Sequence, residues 1–171
     1  MSSIVITTNP PDLQARLSDV PRYLRRMAKV LDQQNELTVG HIISRRMTGQ
    51  GPFPATEGRL GVHTGRLRRS IRRTRATIVN DGVVSAIGTN VKYMGPHEFG
   101  GQTPPHVIEA RSGKALRFGG GGKVIFRKRV KHPGSKIPAR RPIFRGIEDR
   151  RHMYEQAMGQ ATVDHIEGRD A

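Results

Sequence analysis

Leu13, Leu17, Val20, Leu24, Met27 and Leu31 recur at spacings of four and three, a rhythm that lines one stripe of a helix. A helix with a single apolar stripe must lay it against a second layer. Packing against the chain's own core is the simpler partner, ahead of a coiled coil with another protein. Pro21 interrupts the stripe, and proline is tolerated only in the first turn of a helix. The expected arrangement is therefore a short helical start near residues 11 to 17, then a main helix capped by Ser18 or Asp19. Ile42, Ile43 and Met47 resume the apolar face, so the helical region spans 11–48 until Gly49-Gln50-Gly51-Pro52 ends it.

From Gly49 to Gly61, four glycines and two prolines leave no periodicity, which predicts a flexible loop over 49–61. Thr64 is placed to cap a short helical turn through Leu67 and Ile71. Beta-prone residues then run from Ile71 to Val79 and from Val83 to Gly88 on either side of Asn80-Asp81-Gly82, a pattern that predicts a tight hairpin. A second, basic hairpin arm is expected over 114–130, with Lys114 to Phe118 and Lys123 to Val130 joined by four glycines. After Pro142, at a natural first helical position, Ile147, Tyr154, Met158 and Ala161 predict an amphipathic helix over 142–167. The expected fold is α+β and a single domain: a long N-terminal helix, a β-rich core over 62–141 forming a central antiparallel sheet of hairpins, and a C-terminal amphipathic helix.

At 171 residues such a domain can bury a core without staples, and the absence of Cys excludes a disulfide framework, a thiolate metal site and a cysteine nucleophile. No stretch approaches the length of an apolar membrane span, and residues 1 to 11 lack the pattern of an export signal, so a soluble protein assembled in a reducing cytosol is expected. Lys and Arg number 30 against 14 Asp and Glu, a formal charge of +16, which calls for polyanions or an acidic protein surface as partner. Eight aromatics and no Trp supply little material for stacking bases, which counts against single-stranded nucleic acid as a specific ligand.

Few residues suggest chemistry. His97-Glu98 adjoins a Gly-rich turn, with His106 and His132 as conceivable fellow ligands, yet no HExxH motif or paired acidic cluster accompanies them. Gly119 to Gly122 before Lys123 lacks the spacing of a phosphate loop, and neither Ser70 nor Ser112 sits in a Gly-x-Ser-x-Gly context. Neither a catalytic residue, a cofactor nor a metal is expected. The basic residues are denser. Arg66, Arg68, Arg69, Arg72, Arg73 and Arg75 form one cluster, and Lys123, Arg127, Lys128, Arg129, Lys131, Lys136, Arg140 and Arg141 another, without an intervening acid. Such clusters can neutralise phosphates along a DNA path, match an acidic neighbour, or simply stay solvated. No base-reading motif chooses among these.

Four short blocks carry a resemblance. Thr64-Gly65-Arg66-Leu67-Arg68-Arg69-Ser70-Ile71, then Ile87-Gly88-Thr89-Asn90 with Tyr93, then His97-Glu98-Phe99-Gly100-Gly101, then Ile137-Pro138-Ala139-Arg140 before Pro142-Ile143-Phe144 follow one another over about residues 64 to 145. In this order they resemble bacteriophage tail-completion proteins of the virion morphogenesis family. The resemblance implies a non-enzymatic neck subunit that joins tail tube to head around the DNA path. It implies a homo-oligomeric ring, with a hexamer among the candidate sizes, and partners among the tail terminator, the tail tube or a head-side connector. It implies non-specific contact with packaged DNA, and a place in the virion. One departure is an additional arginine: Arg140 is followed by Arg141 before Pro142, where the family pattern has a single arginine. Physically the blocks read as shape. Thr64-Gly65 turns the chain, Tyr93 and Phe99 are expected to anchor the Glu98-Gly100 turn to the sheet, Glu98 to accept hydrogen bonds from its own turn or an arginine, and Pro138 to hold an extended approach to the last helix. The competing classes are a basic DNA-binding architectural protein and, further back, a metal-dependent hydrolase.

Overall fold

The computed structural model describes residues 15, 18–111, 113–120 and 123–169. The short helical start expected near residues 11 to 17 lies outside these, apart from Ala15. Helix α1 (Val20–His41) begins where Asp19 accepts a hydrogen bond from Arg22 N at 3.1 Å, with Pro21 harmless in the first turn. It continues as a widened π turn, Ile42–Arg46, closed by Met47 N donating to Ile42 O at 3.0 Å. Ile42 and Met47 are thereby turned into the centre of the core with Leu60, Ile71 and Met94, flanked by Val39, Ile43, Leu67, Ile87 and Ile143.

The expected C-terminal helix is two helices. α4 (Pro142–Glu148) and α5 (Arg151–Ile166) are separated at Asp149 and Arg150, and side-chain pairing explains the break. Asp149 accepts from Arg46 Nε at 2.9 Å and faces His41 Nε2 at 2.8 Å, while Arg150 donates to Thr38 Oγ1 and Gln34 Oε1, both at 3.1 Å. Burial alone would raise the Asp149 carboxyl, but the hydrogen bonds and charges of Arg46 and His41 outweigh it and hold it below its ordinary 3.8. α5 then runs antiparallel along α1. Tyr154 donates to Asn35 Oδ1 at 2.6 Å near one end, and Arg26 pairs with Asp164 at 2.8 Å near the other. Ala161 and His165 are buried on its inner face.

The β structure is a set of two-stranded ladders, not one central sheet. Short helix α2 (Arg66–Ser70) leads into β1 (Arg72–Arg73) and β2 (Thr77–Val79), which return as β3 (Gly82–Val84) and β4 (Ile87–Gly88). Asn80 takes the positive φ of 51° that the turn requires. Three residues separate β1 from β2 but two separate β3 from β4, so the first arm carries one extra residue and the hairpin is bulged. Arg73 draws this hairpin onto α1 through Asp32 at 2.6 Å and Glu36 at 2.8 Å.

After α3 (Met94–Phe99), the second hairpin is longer than expected. β5 (Gly101–Gln102) pairs with β10 (Lys136–Ile137), and β6 (His106–Glu109) with β9 (Arg129–His132) in the same continuous register. Pro104, Pro105 and Pro133 interrupt the ladder because they lack an N–H. Past Glu109 the register shifts, with Ala110 N donating to Lys128 O at 3.2 Å, and beyond it β7 (Leu116–Gly120) pairs with β8 (Lys123–Arg127). The basic strand expected over Lys123 to Val130 is thus split at Lys128. The arm covers 101–137, enough for roughly 45 Å of ribbon at about 3.3 Å per residue.

The 49–61 segment, expected as a flexible loop, folds back onto the body. Leu60 is buried, Leu60 N donates to Arg46 O at 2.8 Å, and Val62 N to Gly49 O at 2.9 Å. Arg46 and Arg140 also donate to its Glu57 and Phe53 carbonyls. On the far side of the core, α4 crosses the π turn at Gly146, where any Cβ would run into Ile42 Cγ1. Gly146→Ala should therefore destabilise the protein by about 1–3 kcal/mol through overpacking, even though alanine is the better helix former. Urea unfolding midpoints measure it, and an unchanged or raised midpoint would show that α4 does not sit this close.

Candidate functional site

Glu98 sits at the meeting point of the sequence blocks. It is buried, and its two carboxylate oxygens accept from Ile143 N at 3.1 Å and Phe144 N at 2.8 Å. Helix α4 has no side-chain cap of its own, because its cap residue is Arg141 and its first residue is Pro142. Glu98 supplies the missing cap from α3, and a carboxylate at a helix N-terminus also meets the favourable end of the dipole. His97 O takes the remaining amides, from Arg140 at 2.8 Å and Arg141 at 3.2 Å. The additional arginine fits this geometry by adopting a left-handed φ of 52° at the cap. Glu98 is thus an acceptor for backbone amides, but for those of a distant helix and not of its own turn. Gly100, with φ 79°, turns the chain from α3 into β5. In the other two blocks, the Ser70 and Thr89 hydroxyls lie 2.6 Å apart and Ser70 donates to Leu67 O at 2.7 Å. Gly65, with φ 71°, takes the cap position of α2 expected for Thr64, whose hydroxyl accepts from Arg66 N at 3.4 Å.

The two expected anchors are exposed and not buried against the sheet. Phe99 is 83% exposed and Tyr93 is 46% exposed, since the α3 face that faces the core carries Met94 and Glu98. Phe99 instead borders an open groove with Val91, Ile143, Phe144 and Ile147.

His97 and Glu98 do not form a metal centre with His106 and His132, which stack on each other across the arm at 4.9 Å. Among the described residues no three His, Cys, Asp or Glu side chains are grouped to hold a metal ion, and no helix is long and apolar enough to cross a membrane.

The arginines are divided by the fold into three fates. Arg73 is neutralised by Asp32 and Glu36, so it fastens the hairpin and is not free for a partner. Arg66 and Arg68 line a cleft of about 680 Å³ with Arg59, His63, His97, Arg140, Phe53 and Tyr93. Arg66, Arg69 and Arg72 line a second, of about 620 Å³, on the other side of α2, together with the neutralised Arg73. Arg127, Lys128, Arg129 and Lys131 lie exposed on the arm, with Arg129 near Glu109 at 3.4 Å; Lys123 is described in its backbone only. Arg59, 4.2 Å over the Phe53 ring, and Arg140 were not legible as partners of Arg66 and Arg68, because they lie on separate loops. In this cleft burial, then the Arg140 charge, pushes the His97 imidazole below its ordinary 6.5.

The chain was compared with family models, curated proteins and solved structures, and it matches none of them.

Two outcomes follow from this geometry. Glu98→Ala leaves two α4 amides without an acceptor and should cost at least about 1–3 kcal/mol, Glu98→Gln less, and exposed Phe99→Ala under about 0.5 kcal/mol. Equal losses for all three in chemical denaturation would contradict the cap. Because the folded chain holds His97 below 6.5, the unfolded chain takes its proton first as pH falls. Stability should therefore drop below pH 6.5 until the folded ring is protonated too, with no contribution above that range. His97→Gln should flatten this part of the stability profile, and identical profiles for both proteins would contradict the assignment.

Proposed function

We propose that this chain is a non-enzymatic structural subunit of a phage virion, of the tail-completion or neck type, acting as one copy in a ring that joins tail tube to head. The observation that carries the reading is the arm. Strands β6 to β9 pair chiefly with one another, and an isolated two-stranded ribbon is marginal in water. Its register puts Leu116, Phe118 and Ile125 on one face and Val124 and Phe126 on the other, with all but Leu116 exposed. A ribbon apolar on both faces that has no core of its own is suited to being covered by neighbours, and a ring supplies a neighbour on each side. The four blocks support the same reading, since their polar residues hold helix ends and turns together and none is arranged for proton transfer or nucleophilic attack. A free DNA-binding architectural protein is the second reading, and the basic strand of the arm is what favours it.

Deleting the gene from a phage that encodes this chain should leave separate heads and tails, with joining restored by the wild-type chain. Phe118→Ser with Phe126→Ser should fail to restore joining while the isolated variant still folds. Normal infectious particles without the chain, or its recovery on nucleoid DNA and not on particles, would overturn the reading.

A further inference from the structure

The two clefts beside α2 share Arg66, and together they place Arg140, Arg59, Arg68, Arg66, Arg69 and Arg72 along one continuous surface. No Asp or Glu lines either cleft among the described residues. Arg66 and Arg68 have no acidic partner there, whereas Arg73, next to them in sequence, has two. Arg59 meets Glu57 at 3.4 Å, so the members of the row without an acidic partner among the described residues are Arg66, Arg68, Arg69, Arg72 and Arg140. The Arg140 guanidinium donates to Phe53 O at 3.3 Å, which holds it at the cleft wall. A concave, acid-free row of guanidiniums repels metal ions and selects anions. Its length over two clefts selects a chain of charges over a single one, and Arg forks match phosphate oxygens.

We infer that this surface is a phosphate-binding track for the sugar–phosphate backbone of duplex DNA, sequence-independent and separate from the arm. Duplex DNA presents one negative charge per about 1.7 Å of axis, a linear density that a carboxylate-bearing loop does not reach. Phe53 and Tyr93 at the cleft form part of its wall, and the track reads no bases. The inference deepens the proposed neck function by giving the DNA path a defined lining, but it does not depend on that function.

The test is fluorescence anisotropy of the full chain with a random-sequence duplex across a salt series. Arg66→Gln with Arg68→Gln should weaken binding roughly tenfold or more and lower the log–log salt slope by about two, since each phosphate contact contributes about 0.9. The thermal midpoint should not move, because neither side chain has an internal partner. Should that variant misfold, Arg66→Lys with Arg68→Lys keeps the charge and should keep the slope. Arg127→Gln with Lys128→Gln, on the arm, should leave most of the binding intact. Wild-type affinity and slope in the cleft variant, or loss confined to the arm variant, overturns the inference. So does displacement of the duplex by polyglutamate at equal charge, which would mark an acidic protein partner, or by inorganic phosphate at equal phosphate concentration, which would mark a small-anion site. Particle joining by the same variants separates the two proposals: a cleft variant that binds DNA normally removes the track and leaves the neck reading standing, and a chain that binds DNA through the cleft but joins no particles does the reverse.

Discussion

The carboxylate of Glu98 is the constraint on which the rest of the structure depends. A buried charge is costly unless it is hydrogen-bonded, and here both oxygens are answered by the first amides of α4, at the positive end of that helix. The same contact joins α3 to α4. α4 in turn lies over the π turn at Gly146 and ends at Asp149, which is held by Arg46 and His41 of the α1 segment. Immediately after α3, the β5–β10 pair closes the base of the arm. The Glu98 contact, with the His97 carbonyl and the β5–β10 pair, thus ties α3 and α4 to the base of the arm.

The charge of this chain is sorted as well as large. Asp32 and Glu36 hold the first hairpin, Asp149 and Asp164 hold the long helices together, and Glu98 caps α4. With these acids engaged there, Arg66, Arg68, Arg69, Arg72 and Arg140 of the clefts and Arg127, Lys128 and Lys131 of the arm have no acidic partner among the described residues, while Arg59 and Arg129 each have one. The excess of +16 is therefore concentrated on particular surfaces. That separation, between a neutralised frame and the cleft and arm cations that have no acidic partner, is what makes an assembly role around a polyanion the reading we favour.

The α+β class was legible from local signals: the apolar stripe and Asp19 for α1, and Asn80-Asp81-Gly82 for the first turn. What was hidden was non-local. The break at Asp149 and Arg150 arises from partners on α1, and nothing in those two residues forbids a continuous helix. The prolines of the arm masked a register that runs unbroken from Gly101 to Glu109, and the one-residue bulge in the first hairpin has no mark in composition. Glu98 could be read as an acceptor, but its donors lie 45 and 46 residues away. Phe99 read as an anchor because phenylalanine is usually buried, and only the face of α3 decides otherwise. The cleft was invisible because the sequence presents the α2 arginines as one run. The fold sends Arg73 to α1 and brings Arg59 and Arg140 from other loops to Arg66 and Arg68.

The central claim is that this molecule is a rigid frame carrying surfaces meant for neighbours. The most direct measurement is an electron cryo-microscopy reconstruction of a particle that contains the chain, resolved at the head–tail joint. The account predicts a closed ring of copies there, with Phe118, Val124, Ile125 and Phe126 covered by an adjacent subunit and the α2 clefts facing the DNA path. Copies at the joint whose arms stand uncovered in solvent, or a joint that lacks the chain altogether, would contradict it.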